Sequence, residues 1–152
     1  MKLALVAAAA VAALALAAQA PARTDCSAGV RTAKGVTYRT FCGPAKVFMT
    51  IHTVDYRFDN GGECSKSGGY FSVNIGTITL PPEKPKYAYF GIAVLGTHAG
   101  TFKNQAVTWQ LPGGVRGSLI NTTVKIAPGM KKGTFTGTVL GKNVVGNGSF
   151  TC

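Results

Sequence analysis

The chain has 152 residues, with sixteen Lys or Arg against five Asp or Glu, a net charge of +11, twenty Gly and seven Pro. That length bounds it to one domain's worth of core, and glycine and proline at this density exclude a coiled coil or a helical bundle. Two histidines and five acids leave acid–base and metal chemistry few groups to draw on, whereas the cationic surplus favours contact with anionic surfaces.

The opening stretch, MKLALVAAAAVAALALAAQA, places Lys2 ahead of an Ala/Leu/Val run that closes on Ala18-Gln19-Ala20. This is the pattern of a secretory signal peptide, cleaved after Ala20, and it predicts one exported domain over residues 21–152. The apolar run from Leu3 to Ala18 is short for a membrane span and no basic cluster follows it, so no transmembrane anchor is expected.

Beyond Pro21 the apolar period is two, that of a strand. Val36, Tyr38 and Thr40 alternate with Thr37, Arg39 and Phe41. Val47, Met49 and Ile51 line the next face, and Val54, Tyr56 and Phe58 continue after a phase slip that predicts a turn near His52-Thr53. Phe71, Val73 and Ile75 give way to Ile78 and Leu80, with a bulge expected at Gly76. PPEKP then interrupts pairing, and Tyr87 through Leu95 is an apolar run that predicts a strand buried on both faces. Further strands are predicted over 106–111, 119–126, 134–140 and 144–151. In Gly100-Thr101-Phe102, Gly133-Thr134-Phe135 and Gly148-Ser149-Phe150 each Phe is expected to point inward. Eight or nine such strands predict an all-β fold, an antiparallel β-sandwich or a partly closed barrel.

Four cysteines in an exported chain, with no C-x-x-C and no Cys/His cluster, predict two disulfides and neither zinc nor thiol redox chemistry. If the slip near Thr53 is a hairpin turn, Cys42 and Cys64 come to the same open end. The preferred pairing is therefore Cys42–Cys64 with Cys26–Cys152; the rival is Cys26–Cys42 with Cys64–Cys152. Both tie down Cys152 after the last strand, whose edge would otherwise peel.

His52 is expected on a solvent face and His98 in the loop GTHAG. Neither G-x-S-x-G nor S-x-x-K occurs, so no catalytic residue is assigned. Asp55, Asp59 and Glu63 recur at steps of four in DYRFDNGGE, where a calcium site is conceivable but an ordinary turn suffices, so no metal and no cofactor is expected. Lys84 and Lys86 precede Tyr87 and Tyr89, which predicts a tyrosine platform beside two cations; with His98 these form the candidate binding set. Asn121-Thr122-Thr123 and Asn147-Gly148-Ser149 fit the glycosylation triplet.

The segments FCGPAKV, GGEC, KYAYFGIAV, KKGTFTGTV and GSFTC together resemble small exported β-rich proteins of the actinobacterial type, over most of residues 36–152. The resemblance implies export and β architecture, and it assigns no residue a role. The expectation is a non-catalytic secreted binding domain whose partner is an anionic envelope polymer or another extracellular protein, with no specific nucleic acid. Two alternatives stand beside it: a small extracellular hydrolase using His98 or the Asp55/Asp59/Glu63 group, and an inhibitor of a secreted enzyme.

Overall fold

The computed structural model describes residues 26–152, and the signal peptide expected at 1–20 lies outside them. Twelve strands occur in that span: β1 (Gly29–Ala33), β2 (Val36–Thr40), β3 (Lys46–Ile51), β4 (Val54–Phe58), β5 (Gly62–Ser67), β6 (Tyr70–Thr79), β7 (Tyr89–Leu95), β8 (Gly100–Lys103), β9 (Ala106–Leu111), β10 (Val115–Ile126), β11 (Lys132–Val139) and β12 (Val145–Thr151). A single 3-10 turn, Pro128–Met130, is the one helical element among the described residues.

All twelve strands belong to one open sheet in the order β1-β2-β6-β7-β9-β10-β11-β12-β3-β4, with β5 also on β6 and β8 also on β10, and every strand pairing is antiparallel. This corrects the expected sandwich of eight or nine strands in two respects. The added strands, GVRTA, GECSKS and GTFK, lack apolar alternation because they are peripheral and, apart from the buried Gly62, half or fully exposed. The second difference, one sheet in place of two, comes from two long strands that change partners midway.

In β6 the change falls at Gly76, where a bulge was expected. Residues 70–75 pair with β5, whereas residues 77–79 pair with β2. Gly76 adopts φ +82° at this bend, and a Cβ there would run into the carbonyl oxygen of Ala88. In β10 the register shifts between Ile120 and Thr123, with Asn121 at φ +52°, and the strand passes from β9 to β8. The freed groups are not orphaned, because Thr122 Oγ1 donates to the Gln105 carbonyl at 2.6 Å and the Asn104 amide donates to the Thr122 carbonyl at 2.8 Å.

The sheet coils on itself around a single core. Phe58 of β4 meets Phe90 of β7 at 5.3 Å between ring centroids, although five strands separate them in the sheet order. Phe90 also meets Phe135 at 5.3 Å, and Phe71 of β6 meets Phe150 of β12 at 5.9 Å. Inward-facing Val47, Met49, Val73, Ile75, Ile92, Val107 and Val124 complete the cluster. Phe135 and Phe150 point inward as expected, and Phe102 packs half-buried against the same core. The slip at His52-Thr53 is a hairpin turn between β3 and β4, with His52 at φ +56°. The run from Tyr87 is buried on both faces only over Tyr89–Ile92, and Tyr87 precedes the strand.

The disulfides are Cys26–Cys42 and Cys64–Cys152, with Cα separations of 5.8 and 5.5 Å, so the preferred pairing is corrected to its rival. The hairpin does bring the two segments together, through a parallel bridge between Pro44 and Gly62. Parallel register is the reason the pairing fails. Cys42 lies two residues before that bridge and Cys64 two residues after it, an offset of about 13 Å along the strands, beyond the ~7 Å reach of a disulfide. Thr151 pairs with Lys46 on the far side of β3, which brings Cys152 within reach of Cys64.

Candidate functional site: the outer face of six strands

The residues singled out from sequence do not converge. Tyr89 is buried against the ring of Phe41, its hydroxyl donating to Asn74 Oδ1 at 2.8 Å. Burial raises its pKa above the ordinary 10.0, and the charge of Arg39 works against that rise. Tyr87 is half exposed and leans on Tyr38 at 5.8 Å. The two tyrosines therefore form no common platform.

Lys84 and Lys86 are exposed on the loop between β6 and β7. That loop is pinned by Arg116, which donates to the carbonyls of Thr79 (3.3 Å) and Glu83 (2.6 Å), and by Gln110, whose side chain bonds both the amide and the carbonyl of Thr79. The pinned loop borders a cavity of about 480 Å³ that includes Tyr89, Gln110 and Arg116. Of the polar groups lining it, Gln110 and Arg116 are spent on holding the loop and the Tyr89 hydroxyl on Asn74.

His98 is exposed at the bend before β8, its ring 5.2 Å from Phe102. Asp55 accepts a hydrogen bond from Thr50 Oγ1 at 2.8 Å, Asp59 follows β4, and Glu63 sits opposite Asn74 on β5. No three His, Cys, Asp or Glu side chains come together as a metal set among the described residues.

A different surface is assembled by register. On β8, β10, β11, β12, β3 and β4 the apolar positions face the core, so the intervening residues form one outward face in three rows across the strands. The middle row runs Thr101, Lys125, Thr134, Ser149, Phe48, Arg57. Beside it runs Lys103, Thr123, Thr136, Asn147, Thr50, Asp55. On the other side Lys132, Thr151 and Lys46 are in line, with Asp59 one step beyond the β3–β4 ladder. Most of these side chains are exposed; Thr50 and Thr123 are half-buried.

Five cations (Lys46, Arg57, Lys103, Lys125 and Lys132) thus share one face with Asp55 and Asp59, both acids lying at its β4 margin. Lys103 Nζ donates to Thr123 Oγ1 at 2.9 Å, and the Arg57 guanidinium lies 5.7 Å from the Phe48 ring centroid.

Two depressions mark the face. One of about 700 Å³ is bordered by Thr101, Lys125, Lys132, Thr134, Ser149 and Thr151, with Ala99 and Ala127 also lining it. The other, about 210 Å³, lies between Lys46, Phe48, Arg57 and Asp59. They share Ser149 and Thr151 and so form one trough across the strands. Backbone packing holds β12 close beneath it: a Cβ on Gly148 would collide with the carbonyl oxygen of Phe48 and lie 2.5 Å from the ring of Phe135.

Sequence reasoning missed this face because its cations are dispersed over five segments and become neighbours only through pairing. The signal was the outward half of each alternation: Lys, Thr, Ser or Asn at every second position of TVKI, KGTFTG and NGSFT, and Lys, Phe and Thr in KVFMTI, with no acid among them. Compared with known proteins, the chain matches no family model, and neither a curated protein nor a solved structure is significantly similar to it.

Proposed function

We propose that the protein is a non-catalytic extracellular binding domain that attaches to an anionic envelope polymer through the outer face of β8, β10, β11, β12, β3 and β4. The observation that carries this reading is the register that gathers five cations and a field of hydroxyls onto one face, with Lys46, Arg57, Lys125 and Lys132 lining the trough and the two acids, Asp55 and Asp59, confined to its β4 margin. Exposed charges are individually weak in water, but a polymer that spans several of them at once sums their contributions and releases its own counterions. An oxidising location outside the cytoplasm is supported by two disulfides with no free cysteine among the described residues. No helix among these residues is long and apolar enough to cross a membrane.

The test is the salt dependence of binding to an immobilised polyuronate. Each lysine that contacts the polymer contributes about one to the slope of log K against log salt. The triple variant K46Q/K125Q/K132Q is expected to lower that slope by about three, whereas K84Q/K86Q leaves it unchanged. Equal slopes for wild type and triple variant, or wild-type binding that persists in 1 M salt where screening acts over about 3 Å, would overturn the reading.

A further inference from the structure

We propose that the free edge of β4 pairs with the same edge of a second copy of this chain, antiparallel about Tyr56, so that Asp55 of each copy stands opposite Arg57 of the other. β4 bonds to β3 alone. The strand that follows it, β5, turns away after the link 59–61 and pairs with β6, so the other side of β4 takes no strand among the described residues. Val54 is 51% exposed at this edge, and Asp55 and Arg57 are exposed with it.

Strand geometry fixes which backbone groups are available. Ile51 and Val54 close the two-residue turn His52-Thr53, so Val54, Tyr56 and Phe58 direct their N–H and C=O groups to β3. The N–H and C=O groups of Asp55 and Arg57 therefore point to the free edge. An antiparallel ladder between two such edges needs residues with outward-pointing groups opposite one another. Centred on Tyr56, the ladder meets that condition on both sides of the axis, and each Asp55–Arg57 pair exchanges both backbone bonds.

Charge selects this register. Asp55 and Arg57 share the outer face, where opposite charges directly across a ladder attract and like charges repel. A ladder centred on Asp55 would set that carboxylate against its own copy. One centred on Arg57 would oppose the two guanidinium groups and set Asp55 against Asp59. The centre at Tyr56 makes both charges complementary. Charge also selects this edge among the strands with an unpaired side. β1 and β8 each carry one charged residue, a cation (Arg31 and Lys103), and in β5 Glu63 and Lys66 alternate to opposite faces. In β4 the charged side chains are already ordered on the outer face, Asp55 by the Thr50 hydroxyl on Oδ1 and Arg57 against the Phe48 ring.

The twofold axis stands normal to the sheet, so the outer faces of the two copies join edge to edge and Asp55 at the β4 margin meets a guanidinium group. An edge of five residues buries far less than the roughly 1,200 Å² of a stable interface, so the association is weak and reversible.

The experiment is sedimentation velocity of the purified protein up to about 1 mM, in about 0.15 M salt, where the net positive charge is screened beyond about 8 Å. Circular dichroism and Tm confirm the fold of each variant. The wild type is expected to dimerise reversibly, and hydrogen exchange at the Asp55 and Arg57 amides is expected to slow as the dimer fills. D55R and R57D each oppose like charges on both sides of the axis and are expected to weaken dimerisation by at least about tenfold. The double variant D55R/R57D, which exchanges the two charges, is expected to recover it. D55R mixed with R57D is expected to form a heterodimer tighter than either homodimer, since positions 55 and 57 are then both cationic on one edge and both acidic on the other.

A monomer at every concentration, or single reversals that leave the dimer unchanged, would overturn the proposal. So would a double variant as weak as the single ones, a mixture no tighter than its components, or slowed exchange confined to amides other than those of Asp55 and Arg57.

Discussion

Tyr89 illustrates how neighbours decide what a side chain does. Its place after two lysines reads as part of a binding platform, yet in the fold it closes over Gly91, where a Cβ would run into its hydroxyl, and bonds Asn74. The hydroxyl is therefore structural, and Tyr89→Phe is expected to destabilise the protein by about 1 kcal/mol at neutral pH, read from urea unfolding. The pH dependence follows from the raised pKa. The folded state keeps its proton above the value of 10.0 at which the unfolded chain loses it, so this contribution is fully present below about pH 10 and is lost as pH rises through the folded-state pKa. Denaturation series at about pH 9 and about pH 11 should show the wild type losing more stability than Tyr89→Phe. A gap between the two proteins that stays constant or widens with pH would contradict this account.

The two disulfides differ in what they hold. Cys26–Cys42 closes sixteen residues around the β1–β2 hairpin, which lies at one end of the sheet path, whereas Cys64–Cys152 closes 88 residues and ties β5 to the strand at the centre of the proposed binding face. In the chain-entropy account the shorter closure contributes about 3 kcal/mol and the longer about 4.6 kcal/mol. Urea denaturation of C64S/C152S should therefore show a loss larger by more than 1 kcal/mol than that of C26S/C42S. The longer crosslink also fixes the end of β12, so C64S/C152S is expected to weaken polyuronate binding while C26S/C42S retains it. The opposite order in both measurements would move the anchoring role to β1 and β2. The existence of elements followed a similar logic: β11 and β12 were legible because their alternation faces a core and β7 because its run is apolar on both faces, whereas β1, β5 and β8 carry no apolar pattern and are strands only through the partners they find.

At the scale of the molecule, β3, β4, β6, β7 and β9 through β12 contribute to one hydrophobic cluster, and no second core separates from it among the described residues. Such a molecule is expected to unfold in a single transition, with calorimetric and van't Hoff enthalpies in agreement; two resolved transitions would show that the halves of the sheet are independent. The period-two pattern from Val36 to Phe150, the Gly/Pro punctuation and the four cysteines determined by themselves that this is an all-β protein with two crosslinks, because strand alternation and disulfide chemistry are local properties of the chain. Tertiary structure alone decided which cysteines join, that the strands form one coiled sheet, and that lysines from β8, β10, β11 and β3 stand beside Arg57 of β4 on one face. Those outcomes depend on register, and register is set by which distant strands pair and where Gly76 and Asn121 let a strand change partners.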